Sequence, residues 1–283
     1  NDLERVHNYP IIKHAAFPVP APDGEPHHPD PEVPLPAAKV LGGARRRARA
    51  FRPSSVVNIS GMSFGALSAA AVTALNKGAA LAGALHTTGE GAVTPYHLNG
   101  GDLVWQIGTG YFGCRDADGR FSLPRLIDRV AATPQIRAIE IKLSQGAKPG
   151  LGGMLPGAKV TPEIAAIRGI PVGLDSISPN RHRDIGNVNE LLDMIVRVRN
   201  LTGKPVGIKT AIGGRRFLHE LCEAILRRGL DTAPDFIAVD VGEGGSGAAP
   251  QALADHMALS IDEALPRVVD TLIEFGLRER VRV

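Results

Sequence analysis

The sequence predicts an α/β barrel of the (β/α)8 type, and three observations lead there. From Ser54 onward short apolar runs alternate with helical segments, the pattern of parallel strands joined by right-handed crossovers. Nearly every apolar run ends in a polar or Gly-rich turn: residues 60–63, 88–91, 108–110, 144–146, Thr210 and 240–247. Chemistry at the C-terminal ends of many strands is a barrel's layout, whereas a doubly wound sheet concentrates it at one switch point. The length of 283 residues suits one barrel of about 250 residues with an added segment.

The elements follow in order. Residues 1–53 hold many of the 22 prolines, and proline removes backbone donors and fixes φ, so an arm with little regular structure is expected. Residues 54–283 form the barrel domain. A strand at 56–59 precedes a helix at 68–82. Strands at 85–87 and 104–107 follow, then a helix at 123–131. The strand at 136–143 enters a long loop with a short helix at 161–168, then a helix at 188–201. Strand 206–209 leads to helix 217–228, and strand 236–240 leads to helix 261–275. Val281 begins another run. Six strands and the start of a seventh make an incomplete TIM (β/α)8 barrel. Its open edge, with ladder groups unpaired, is expected to favour aggregation and weak cofactor retention. The chain opens on Asn1 and stops on Val283, and both ends are expected to be cut.

Composition narrows the classes. The chain is 43% hydrophobic and 22% charged, with 4% aromatics, so its core is built mostly from Ala, Val, Ile and Leu. The net charge of +3 spreads over scattered arginines. The cluster Arg45, Arg46, Arg47 and Arg49 lacks the interleaved aromatics of a single-strand binder and is expected to be a solvated face. No nucleic-acid partner is expected. Cys114 and Cys222 are far apart, which argues against a disulfide framework or zinc site and fits a reducing, cytoplasmic compartment. Cys114 is read as a packed thiol. No secretory signal is visible, and an anchor on a preceding segment is left open.

The segment 145–157 is the strongest functional signal. It carries five glycines and Lys148 in thirteen residues, directly after a strand. Glycine lets a ligand approach the backbone closely, and loops this long inside a compact domain are usually functional or disordered. Three lysines matter: Lys142 in the strand, Lys148 on its loop, and Lys209 at the end of the next strand. A lysine in a barrel mouth can form a Schiff base, bind an anionic group or stabilise a reduced flavin. The turn 242–247 lacks the Lys-Ser or Lys-Thr of a nucleoside-triphosphate loop and the spacing of a dinucleotide fingerprint. His86, His97 and His182 show no ligand spacing, so no metal is expected.

Several motifs together resemble the FMN-binding synthase domain of glutamate synthases, and more closely the stand-alone glutamate synthase-like proteins. They are residues 58–68 (NISGMSFGALS), 88–91 (TGEG), 140–150 (EIKLSQGAKPG), and Asp240 with 244–250 (GGSGAAP). The resemblance implies an FMN oxidoreductase acting on CH–NH2 donors, which reduces 2-iminoglutarate, formed from 2-oxoglutarate and ammonia, to glutamate. By that likeness Met62, Ser63, Thr88, Gln106, Lys209, Asp240, Gly244 and Gly245 would bind FMN. Lys209, Glu90 and Lys142 would act in catalysis, Glu90 near the ammonia route, and Gln145, Lys148 and Arg168 would hold the substrate. Physically, a five-carbon dicarboxylate needs two separated cations, and Lys148 and Arg168 stand at opposite ends of one loop excursion.

The chain departs from the larger synthases at Leu151 and Met154, where they usually carry polar residues. No glutaminase domain is expected, so ammonia is expected from a separate source. The family's iron–sulfur ligands follow the eighth strand, so a cluster is expected only in a further C-terminal part. Electrons would come from ferredoxin or an NAD(P)H-linked donor, and a homo-oligomer is compatible. Three alternatives stay open: another amino or oxo acid as substrate, a Schiff-base lyase using Lys209, and a catalytically silent subunit.

Overall fold

The computed structural model describes residues 39–245, 249–254 and 256–283. Most of the expected proline-rich arm, residues 1–38, lies outside the described residues. Among the described residues five parallel strands form one sheet in the order β1-β2-β3-β6-β7. They are β1 (Leu85–Thr87), β2 (Asp102–Ile107), β3 (Ile136–Lys142), β6 (Val206–Ala211) and β7 (Ile237–Asp240). Ile59 bridges in parallel to His86 at one side of this sheet, and Arg282 to Phe236 at the other. The result is an α/β fold whose parallel sheet curls into an incomplete TIM barrel.

Among the described residues six helices connect the strands: α1 (Ala69–Ala82), α2 (Leu123–Ala132), α3 (Pro162–Arg168), α4 (Val188–Thr202), α5 (Arg216–Arg228) and α6 (Ile261–Glu274). Their starts follow side-chain chemistry. Ser68 accepts from Ala71 N, Thr161 from Ile164 N, and Asn187 from Glu190 N, each satisfying a donor the first turn leaves open. Gly83, Gly169 and Gly203 end α1, α3 and α4 in the left-handed conformation, which costs glycine little.

Alternate strand residues go to opposite faces. Leu103, Trp105, Ile107, Ile139, Ile141, Ile208 and Ile237 join the large core beneath the helices. Inside the curve Leu85, Val104, Ala138 and Phe236 form a separate apolar layer, covered by Leu41 and Phe51. Those two residues bridge in antiparallel fashion, so a small hairpin floors the N-terminal end of the barrel. Cys114 and Cys222 are free and buried, and burial pushes both thiols up to about 12.

Three expectations are corrected here. The strand at 56–59 reduces to the Ile59 bridge; Val56 and Val57 are 50% and 75% exposed and have no sheet neighbour to pack on. A two-stranded antiparallel ribbon, β4 (Met154–Leu155) with β5 (Ser176–Ile177), interrupts the long loop after β3. The arginine cluster is not simply a solvated face. Arg45 Nη2 reaches Asp235 Oδ1 at 2.6 Å and Arg47 Nε reaches it at 3.2 Å, while Asp235 Oδ2 accepts from Val206 N at 2.9 Å. These two arginines pin the hairpin to the start of β6.

Candidate active site

The inward face changes character along the strands. Two residues beyond the apolar layer, Val104 gives way to Gln106 and Ala138 to Glu140; Lys209 and Asp240 lie on the same face of β6 and β7. Gln106 faces Glu140 in register, and Lys142 faces Lys209. Two ammonium groups on adjacent strands repel, and each is answered by a carboxylate on its outer side. Lys142 Nζ lies 3.0 Å from Glu90 Oε2, and Lys209 Nζ lies 3.4 Å from Asp240 Oδ2. Lys142 Nζ also donates to Gln145 Oε1 at 3.1 Å.

Glu90 sits where three cations converge. Burial works to raise its pKa, but Lys142, Lys148 and Arg168 together hold it below the usual carboxylate range. Lys148 and Arg168 are buried, and burial lowers the pKa of both while Glu90 works the other way. Arg168 donates to Phe64 O at 3.2 Å and to Ser176 Oγ at 3.4 Å, with its guanidinium 5.0 Å over the Phe112 ring. So the two loop cations that stand twenty residues apart in sequence converge on one carboxylate.

Glu140 is the site residue that sequence reasoning quoted but did not assign. It is 4% exposed and accepts from Gln106 Nε2 at 2.6 Å. Burial raises its pKa, against the pull of Gln106, Lys209 and Lys142. Its place on the inward side of a strand otherwise rich in isoleucine was the available signal. His182 was noticed only as a loop histidine; its Nε2 donates to Lys142 O at 2.8 Å and so fixes the end of β3. His97 plays the same part for the turn at 60–65. Thr94 N donates to its Nδ1, which leaves Nε2–H to donate to Met62 O at 3.0 Å.

The remaining expected residues, Thr88 excepted, border the same mouth. Met62 N donates to Thr87 O, which brings residues 61–65 beside the end of β1. Gly61 rests against the Gln106 amide, and a Cβ on Gly89 would meet Ser63 N at 2.7 Å. Thr88 faces away from the opening: its hydroxyl donates to Gly89 O and accepts from Gln106 N. Gln145 lies against Gly245, Asp240 against Gly244, and Ala147 N donates to Gly244 O at 2.8 Å. Among the described residues no group of three or more His, Cys, Asp or Glu is placed to hold a metal ion. No described helix is long and apolar enough to cross a membrane.

A conserved region of glutamate synthase matches residues 42–283. This chain belongs to the glutamate synthase family. The glutamate synthase large subunit-like protein YerD of Bacillus subtilis (strain 168) is 45% identical over 236 residues, covering 82% of this chain and 44% of YerD. The archaeal-type glutamate synthase [NADPH] of Thermotoga sp. (strain RQ2) is 35% identical over 231 residues, 80% of this chain and 41% of its own. The archaeal glutamate synthase [NADPH] of Methanocaldococcus jannaschii is 35% identical over 234 residues, again 80% and 41%. The chain thus spans less than half the length of these glutamate synthase relatives.

Proposed function

We propose that this chain is the FMN-binding synthase unit of a glutamate synthase-type oxidoreductase, converting 2-oxoglutarate and ammonia to glutamate by way of 2-iminoglutarate. One observation carries the reading. The register pair Lys142 and Lys209 stands on the inward face at the strand ends, in a chain of the glutamate synthase family.

The residues present fit a flavin. The turns at 60–65 and 88–91 pack so closely that side chains at Gly61 and Gly89 would fill the space beside Gln106 and Ser63. Ser63 offers its backbone N–H and Gln106 its amide there, Met62 lines the turn with its backbone held by Thr87 and His97, and Asp240, Gly244 and Gly245 border the other side. FMN, when bound, would supply hydride chemistry there, with electrons from a ferredoxin or NAD(P)H-linked donor. Lys209 stabilises negative charge that reduction places on the ring. Thr88 acts from behind, holding the ends of β1 and β2 together.

The substrate is held by charge. Four cations, Lys142, Lys148, Arg168 and Lys209, meet three carboxylates, Glu90, Glu140 and Asp240, and burial moves Glu140 toward its neutral form. The surplus of positive charge suits a dicarboxylate, with Lys148, Arg168 and Gln145 as its anchors. Glu90, ionised and bonded to Lys142, is the group placed to guide ammonium and to move a proton at the imine nitrogen. Leu151, 47% exposed, borders the same small hollow as Glu90, Lys142 and Gln145, and Met154 is 54% exposed.

The test is FMN titration of the purified chain, followed by redox titration of the Lys209→Met variant. The parent is expected to bind FMN, and Lys209→Met to lower its midpoint potential by tens of millivolts, about 30 mV for every 1.4 kcal/mol. A flavin-loaded variant with an unchanged potential overturns the role of Lys209. Borohydride trapping of a carbonyl substrate on Lys209 would replace the reading with a lyase.

A further inference from the structure

A second constellation of cations lies at the opposite end of the same strands, and the proposed activity does not use it. A cavity of about 670 Å³ opens between the C-terminal ends of α2 and α4, lined by Phe51, Val130, Leu201, Arg49, Arg137 and Lys204 among others. The three cations arrive from three segments: the floor hairpin, the start of β3, and the turn before β6. One carboxylate answers them. Arg137 Nε pairs with Asp102 Oδ1 at 2.5 Å, and among the described residues neither Arg49 nor Lys204 has an ion pair.

Lys204 is 7% exposed. Burial pushes its pKa down, Arg49 and Arg137 push it further, and Asp102 alone works against them. Three cations around one hollow do more than answer the negative ends of two helices. That effect amounts to roughly half a charge per helix and fades within the last turn. The Arg137 guanidinium also lies 5.3 Å over the Phe51 ring, so charged and apolar walls meet in one place.

We propose that this cavity binds a small organic phosphate, its dianionic head held by Arg49, Arg137 and Lys204 and its apolar body packed on Phe51, Val130 and Leu201. A phosphate offers three terminal oxygens to cations from three directions, whereas one guanidinium satisfies both oxygens of a carboxylate. The site is separate from the mouth. Arg137 and Lys142 are five residues apart along β3, roughly 16 Å at about 3.3 Å per residue.

Calorimetric titration of FMN-saturated protein with phenyl phosphate, and separately with inorganic phosphate, tests the proposal. Phenyl phosphate is expected to bind more tightly than inorganic phosphate. Lys204→Met and Arg49→Ala should each weaken it by roughly tenfold or more, while Arg168→Ala and Lys209→Met bind like the parent. Arg49 is exposed, so its variant keeps the fold if the buried Lys204 change does not. Absence of saturable binding in the parent overturns the proposal, and so does binding that only the mouth variants weaken. Should the protein take up no FMN, the same titration runs without it and the mouth variants still separate the two sites.

Discussion

The inner layers of this barrel sit two to four residues apart along the strands and have opposite chemistry. The lower layer, Leu85, Val104, Ala138 and Phe236, is apolar and closed by Leu41 and Phe51. The upper layer, Gln106, Glu140, Lys142, Lys209 and Asp240, holds charges in a tight set of pairs. Burial stabilises the first by removing apolar surface from water. In the second, burial works against ionised groups, and pairing offsets that only in part. Stability and chemistry are therefore divided by height within the sheet, and variants in the two layers should separate the two properties.

The largest effect is expected in the lower layer. Phe236→Ala should destabilise by roughly 3–5 kcal/mol, as for other large-to-small core changes, read as a shift of the denaturant midpoint at unchanged slope. The Phe236 ring packs on Gly207, which has no side chain to collapse into the gap. A loss below about 1 kcal/mol would show that the layer is not load-carrying.

Acid should act next. His86 is fully buried, its Nδ1 accepts from Asn76 Nδ2 at 3.3 Å, and burial together with His97 lowers its pKa from the ordinary 6.5 to about 4. The unfolded chain binds the proton first, so this contribution is full above pH 6.5 and is lost as pH falls from 6.5 toward 4. At about 1.4 kcal/mol per unit the loss is roughly 3 kcal/mol. His97 and His182 shift in the same direction through burial. Denaturation curves at pH 7 and pH 5 check it, and equal stability at both would refute it.

The smallest changes belong to the upper layer and its loop. Lys148→Ala and Arg168→Ala should each weaken 2-oxoglutarate binding by roughly 1.5–3 kcal/mol, with less effect on the denaturant midpoint than Phe236→Ala. Titration of the oxo acid into the parent and both variants decides. Identical affinities would remove the dicarboxylate reading and leave the layer comparison standing.

Much of this division was legible in the sequence. The alternation of apolar runs and helical segments put a strand at 136–143 and helices at 68–82 and 188–201, close to where they lie. Contacts between distant segments were not legible. Nothing near Arg45 signals that Asp235 will bury it, and two-residue strands such as β4 and β5 are too short to show a period. At the site, Lys142, Lys209 and Asp240 were visible as strand-end charges. The Gln106–Glu140 bond and the support from His97 and His182 depend on register and on long loops returning to the mouth.

The loop after β3 and the turn after β7 interlock. Ala147 N bonds to Gly244 O, Gly146 N bonds to Asp240 Oδ2, and a Cβ on Gly146 would strike the backbone of Val241. Neighbours locked this way do not contribute independently. The loop after β3 is consequently not a module that can be grafted from a relative by itself. Transplanting residues 145–157 alone would break the joint, and only exchange of both segments as one cassette preserves the mouth.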